Sequence, residues 1–227
     1  MLYLVPTPIG NLEDITYRAV SVLSQVDVVL AEDTRTSKRL MDRYEIKTRL
    51  ESFHAHNEHK KLDQVIERLM SGEKMALVSD AGTPGISDPG FLLVREAIKN
   101  DIPLTCLPGP TALIPAVVAS GLPCDKFHYE GFLPQKKGKQ TRIEYLLSLP
   151  QPFIFYESPH RIVKTLKKFQ EMTDQERQVS VSREISKIHE ENIRGLLSEV
   201  IINLEARPSI KGEIAVVMDG HKEKKSL

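Results

Sequence analysis

The side chains able to act on a substrate fall in a few short segments of the 227-residue chain. Asp33 and Arg35 stand just beyond an apolar run that ends at Ala31. Glu157, His160 and Arg161 share the stretch Tyr156-Glu157-Ser158-Pro159-His160-Arg161, and Arg183, Glu184 and Lys187 follow a later apolar run. A carboxylate beside a bound hydroxyl can take its proton, and a guanidinium can clamp a phosphate with two parallel hydrogen bonds. A lysine serves as a base only where burial or nearby positive charge depresses its pKa. Asp33, Glu157, Glu184 and Lys187 are therefore candidate bases, and Arg35, Arg161 and Arg183 candidate phosphate clamps. The competing reading for Asp33 and Arg35 is a helix cap and a surface pair; for Glu157 and Arg161 it is an ion pair at a helix end.

Three glycine- and proline-rich loops are the other chemical signal. VPTPIGNL (5–12) is stiffened by Pro6 and Pro8, and Gly10 allows a sharp turn. SDAGTPGISDPG (79–90) has three glycines that let a ligand approach backbone, and its Asp88-Pro89 reads as N-cap and first residue of a helix. LPGPTA (107–112) is shorter but alike. The spacing of 79–90 matches neither a dinucleotide fingerprint nor a phosphate loop with its lysine. The 79–90 loop offers carbonyls, hydroxyls and carboxylates, which suit a ligand with ribose hydroxyls and a cationic centre.

Each loop follows a short apolar run. Runs at 2–5, 27–31, 75–78 and 103–107 predict strands; 16–23, 36–44, 58–70 and 91–99 predict helices. In 58–70, Leu62, Val65, Ile66, Leu69 and Met70 share one helical face, with Asn57 as cap and Ser71-Gly72 as stop. Strands alternating with helices imply right-handed parallel βαβ units, whose strand carboxyl ends share the edge where ligands bind. Further strands are expected at 127–132, 152–156, 179–182 and 213–218, and helices at 138–147 and 159–169, the latter capped by Ser158. Glycine and proline break the periodicity at 120–124, which predicts domains at 1–120 and 121–227. The tail 221–227 is polar and expected to fray.

Composition narrows the classes. Lys plus Arg and Asp plus Glu both number 31, so a bulk polyanion coat is disfavoured, although a local basic patch suffices for RNA. Two cysteines, Cys106 and Cys124, make neither a disulfide framework nor a four-cysteine zinc site. No basic, apolar leader opens the chain and no apolar run reaches about 18 residues, which predicts a soluble, cytoplasmic protein. Lys136, Lys137, Lys139 and Arg142 form a basic run, with Lys164, Lys167 and Lys168 following. Its alternatives are a solvated face and an RNA contact. His54, His56 and His59 lack a cysteine or clear carboxylate to complete a metal set, so no metal is expected.

The motifs VPTPIGNLEDIT (5–16), AEDTRTSKRL (31–40), SDAGTPGISDPG (79–90), PGPTALIPAVVASGLP (108–123), GFLP (131–134), YESPHR (156–161) and KGE (211–213) together resemble the tetrapyrrole-methylase superfamily. Within it they resemble the branch that methylates the ribose 2′-hydroxyl of a cytidine in small-subunit (16S) ribosomal RNA. The resemblance covers residues 2–220. It implies an α/β fold of two lobes, a mainly parallel N-terminal sheet and a mixed C-terminal sheet, with the cofactor in the cleft between them. It further implies S-adenosyl-L-methionine as cofactor, held by Pro8, Gly10, Asp80, Gly82, Thr83, Ile86, Thr111, Ala112, Tyr156 and Gly212. Asp33, Arg35, Glu157, Glu184 and Lys187 become the catalytic candidates. Lys136, Lys137, Lys139, Arg142 and Arg161 become the RNA contacts. Small-subunit RNA or the 30S particle is the implied partner and a homodimer the implied assembly. A tetrapyrrole methyltransferase and a non-catalytic ribosome-assembly factor are the alternatives.

Overall fold

A computed structural model describes residues 1–221. They divide into two compact units, Met1–Thr111 and Ala112 onward. In the first unit, β1 (Leu2–Leu4), β2 (Val28–Ala31), β3 (Arg49–Ser52), β4 (Met75–Val78) and β5 (Leu104–Cys106) form one sheet in the order β3-β2-β4-β1-β5. Every pairing in it is parallel. Strands β2 and β4 are buried throughout, as strands covered on both faces must be. One face packs on α3 (Glu58–Met70) and α4 (Phe91–Lys99) through Leu30, Val65, Leu69, Leu77 and Leu93. The other packs on α1 (Tyr17–Gln25) and α2 (Thr34–Arg43) through Leu23, Val29, Met41 and Val78.

The second unit carries α5 (Leu113–Ala119), β6 (His128–Phe132), α6 (Lys139–Ser148), β7 (Phe153–Glu157), α7 (Ile162–Met172), β8 (Gln178–Arg183), β9 (Glu191–Leu196), α8 (Leu197–Glu205) and β10 (Ile214–Met218). Its sheet order is β6-β7-β10-β8-β9, with β6 and β7 parallel and the other pairs antiparallel. Phe153, Phe155 and Phe169 stack beneath it, among residues of α6, α7 and α8. Ala116 and Val117 of α5 cover the opposite face against Ile154, Ala215 and Val217. The α/β class, the parallel first sheet and the mixed second sheet are those expected. Helix α5 packs in the second unit and lies just before the 120–124 break.

Three helix starts differ from expectation. Asp88 does not cap α4; the N-cap is Gly90, with φ +127, where a Cβ would lie 2.7 Å from Leu77 Cδ2. The loop closes on itself instead, Gly85 N–H donating to the Pro89 carbonyl at 3.1 Å. Ser158 does not cap α7. Residues 158–161 make a turn in which the Arg161 and Ile162 N–H groups both donate to the Ser158 carbonyl, and the helix begins at Ile162. Asn57 precedes α3 but its side chain makes no cap bond; it turns back to His54. No predicted element covers β3, β9 or α8. The predicted tail lies outside the described residues apart from His221. Both cysteines are free and exposed.

Candidate functional site

The loops after β1, β4 and β5 leave the same edge of adjacent strands, and short-range chemistry laces them together. Thr7 and Gly82 exchange backbone hydrogen bonds of 2.9 Å in each direction, and Thr7 Oγ1 donates to the Ser79 carbonyl at 3.0 Å. Gly109 backs onto Pro6 so closely that a Cβ would lie 2.6 Å from the ring. A Cβ at Gly82 would meet only Ile9 at 3.7 Å and the Pro110 carbonyl at 3.9 Å. The structure thus gathers Pro8, Gly10, Asp80, Gly82, Thr83, Ile86 and Thr111 onto the three loops. Ala112, Tyr156 and Gly212 belong to the second unit. There Tyr156 packs against Tyr129 and Phe132, and Gly212 lies where a Cβ would overlap the Glu184 side chain.

Three carboxylates face one another at this edge. Burial, then repulsion from Glu32, pushes Asp88 up to about 6, partly offset by a hydrogen bond with Ser79 and reinforced by Asp80. Burial, then Asp80, raises Glu32, against an Asp80 backbone hydrogen bond. Glu32 and Asp88 are not among the sequence candidates for the site. Glu32 could have been found as the first polar residue past a buried strand, the position a ligand edge exposes.

A prediction follows from Asp88. The folded carboxyl keeps its proton to about pH 6, above the ordinary 3.8 of the unfolded chain. Its contribution is fully present below pH 3.8 and is lost as pH rises through 6. Asp88→Asn cannot ionise, so its advantage over wild type should be smallest near pH 4. That advantage should grow by about 1 kcal/mol by pH 8, the full shift being reduced by the solvent around a half-buried group. Thermal unfolding of both proteins from pH 4 to 8 measures this; a pH-independent difference would remove burial as the cause.

The candidate bases are occupied. Asp33 caps α2, accepting from Arg35 N–H at 2.8 Å, and Arg35 Nη2 returns to it at 2.6 Å. Those hydrogen bonds hold Asp33 near 2. The helix-cap reading is therefore the observed geometry, while the Arg35 side chain remains 89% exposed.

Glu157 is buried rather than open to substrate. Oε1 accepts from Ser158 N–H at 2.7 Å and Arg161 Nε at 2.8 Å; Oε2 accepts from Thr165 Oγ1 at 2.7 Å. Lys139 Nζ donates to Thr165 Oγ1 at 2.8 Å and stands 3.8 Å from Glu157 Oε2. Burial lowers Lys139, Glu157 opposes this, and Arg161 and Lys164 lower it further.

Glu184 Oε1 accepts from Lys187 Nζ and Glu213 N–H, both at 2.9 Å. The Lys187 hydrogen bond leads in lowering Glu184. Burial disfavours the Lys187 charge, but Glu184 and Glu213 outweigh it and its pKa ends raised, which argues against a lysine base. Arg183 pairs with Glu191 and donates to the Lys211 and His189 carbonyls. Of the basic candidates, Lys136 and Lys137 are exposed. Arg142 is paired with Glu130 and lies over Tyr145 at 4.6 Å. His54 and His56 rings are 5.9 Å apart, and no group of His, Cys, Asp and Glu among the described residues has the arrangement of a metal site.

Comparison with known proteins agrees with this architecture. The family model for tetrapyrrole (corrin/porphyrin) methylases matches residues 1–201. Ribosomal RNA small subunit methyltransferase I of Thermotoga maritima is 44% identical, covering 96% of this chain and 98% of that one. The protein of the same name from Bacillus subtilis is 46% identical, covering 97% of this chain and 75% of its own length. Among solved structures, the methyltransferase CobJ superposes with a TM-score of 0.72 at 16% identity, covering 99% of this chain and 96% of that one. Uroporphyrin-III C-methyltransferase from Thermus thermophilus, complexed with S-adenosylhomocysteine, gives 0.61 at 18%, covering 95% and 96%. At these identities the structures speak for the fold alone. The chain belongs to the tetrapyrrole methylase family and, within it, to the ribosomal RNA small subunit methyltransferase I family.

Proposed function

We propose that this S-adenosylmethionine-dependent methyltransferase of small-subunit ribosomal RNA modifies the ribose 2′-hydroxyl of a cytidine. The observation that carries the reading is 44% identity, across nearly the whole of both chains, to a protein named for small-subunit RNA methylation. Adenosylmethionine supplies a methyl group on a cationic sulfonium. The first unit fits that group on two counts. The backbone at Gly85 faces open space, with nothing within 4 Å of where a Cβ would be. Glu32, Asp80 and Asp88 give the same edge a negative potential. Pro8, Gly10, Asp80, Gly82, Thr83, Ile86 and Thr111 would hold the cofactor through those loops; Ala112, Tyr156 and Gly212, the other positions the resemblance implies, lie in the second unit.

Methyl transfer needs its atoms in line in a dry site, so the protein's work is mostly positioning. Arg35 and Arg161 are the arginine candidates for substrate phosphate. Glu157 fixes Arg161 and Lys139, and Glu184 fixes Lys187. Lys136 and Lys137 offer free-standing charge to RNA. Lys136→Ala with Lys137→Ala is expected to flatten the logarithmic salt dependence of RNA binding by about one unit for each phosphate the lysines neutralise, with cofactor affinity unchanged. Filter binding between about 50 and 300 mM salt reads the slope.

The working form we propose is a homodimer acting in the cytoplasm on RNA or the 30S particle. In keeping with that, no helix among the described residues is long and apolar enough to cross a membrane. The deciding experiment is mass spectrometry of small-subunit RNA nucleosides with and without the gene. Loss of a 2′-O-methylated cytidine is the expected result; an unchanged cytidine pool overturns the reading.

A further inference from the structure

The cofactor loops leave β1, β4 and β5, and the next stretch of the same sheet edge is made by β2 and β3. Phe53 N–H donates to the Ala31 carbonyl at 2.7 Å, and the Phe53 side chain is fully buried, which fixes how the chain leaves β3. Asn57 then locks the turn. Its Oδ1 accepts from His54 N–H at 2.9 Å, which orients the amide so that Nδ2 faces His54 Nε2 at 3.1 Å. An amide nitrogen only donates, so Nε2 must accept and the imidazole proton sits on Nδ1. That Nδ1 is buried without a partner among the described residues.

One turn on, Glu58 N–H donates to the His54 carbonyl at 2.8 Å. The Glu58 residue is 7% exposed, and its Oε1 is likewise buried and unpartnered. A donor of fixed tautomer and a carboxylate oxygen one helical turn on are both left unmet. Buried polar groups in that condition are destabilising unless a ligand or water meets them.

The surroundings select the ligand. Glu32 follows β2, the strand paired with β3 ahead of His54, and Glu32, Asp80 and Asp88 repel one another there, so an anion is disfavoured. A metal ion finds no lone pair, because Nε2 serves Asn57 and Nδ1 carries the proton. A neutral hydroxyl has the chemistry both atoms lack, an acceptor for the imidazole N–H and a donor for the carboxylate. We infer that His54 and Glu58 form a substrate subsite that holds a ribose hydroxyl of the target nucleotide, His54 Nδ1–H donating to it and Glu58 Oε1 accepting from it. The inference rests on the methyl-transfer reading above.

The test uses the whole chain, small ribosomal subunits from cells lacking this gene, and S-adenosylmethionine labelled in the methyl group. His54→Phe and Glu58→Met each remove the polar atoms in question, and His59→Ala on the exposed side of the same turn is the control. Glu58→Met should lower the transfer rate about 10- to 100-fold, the range for a lost hydrogen bond in which one partner is charged, and His54→Phe about 3- to 10-fold, the range for a neutral one. Adenosylmethionine affinity by calorimetry should stay within about two-fold, and the thermal midpoint should hold or rise, as when an unmet buried polar atom is replaced by an apolar group. A bridging water or a purely structural role would leave the rate within about two-fold or lower the midpoint along with it; either outcome overturns the subsite. Parallel loss of cofactor affinity would also overturn it, by reassigning both residues to the cofactor. Wild-type chain inactive on the particles would instead sink the functional reading on which the subsite rests.

Discussion

Glu157→Ala is expected to destabilise the protein by about 3–5 kcal/mol, the range for removing one partner of a buried charge network. The carboxylate meets four groups at once: the Ser158 N–H, the Arg161 guanidinium, the Thr165 hydroxyl and, at 3.8 Å, the Lys139 ammonium. Alanine leaves Lys139 and Arg161 facing each other without the charge between them, and it frees the turn that starts α7. Glu157→Gln keeps the size and one acceptor while losing the charge, so about half that loss is expected. Guanidinium unfolding of the three proteins gives the comparison. Were Glu157 a solvent-facing catalytic group, the alanine variant would lose transfer and keep its stability. A loss under about 1 kcal/mol would therefore contradict the anchoring role.

That contrast shows what the chain makes legible and what it hides. Strand–loop–helix alternation in residues 2–107 is plain because β2 and β4 are continuous apolar runs, and the helices between them carry apolar residues at helical spacing. Their parallel order makes one edge the ligand edge before any coordinate is known. Strand β3, Arg49–Ser52, escapes notice because an edge strand needs only one paired side and its residues are half-exposed. Strand β9 escapes for the same reason. Helix α8 had a signal, since Leu197, Val200, Ile201 and Leu204 keep helical spacing and are all buried.

Side-chain roles were the least legible. Asp33, Glu157, Glu184 and Lys187 have the types a base requires, but sequence does not reveal whether an oxygen or nitrogen is already engaged. Arg35, Arg161, Lys187 and the backbone N–H groups that occupy them lie within four residues or across a strand pair. Conversely, Asp88 reads as a helix cap and Asn57 as another. Both prove to have side chains turned elsewhere, because Gly90 and the turn at 54–57 take over the work of starting their helices.

The largest effect on the loops after β1, β4 and β5 should come from Gly109→Ala, set against Gly85→Ala. At Gly109 the obstacle is steric: a Cβ would stand 2.6 Å from Pro6 Cβ and 3.0 Å from its Cγ, and a proline ring cannot rotate away. The loops after β1 and β5 must therefore separate. Overpacking of this kind is destabilising by about 1–3 kcal/mol, and a displacement near 1 Å at a reacting site is enough for about 100-fold in rate. At Gly85 the added methyl meets nothing, and only its φ of +85° opposes substitution, by about 1–2 kcal/mol. Both variants should lose comparable stability in thermal unfolding. In calorimetry with S-adenosylmethionine, Gly109→Ala should weaken binding through the distorted loops. Gly85→Ala should weaken it only if the cofactor lies against that open backbone. Adding a larger side chain at 85 then separates the two causes: Gly85→Val should lower affinity well beyond alanine if the space is the cofactor's. It should leave affinity at the alanine level if solvent fills that space.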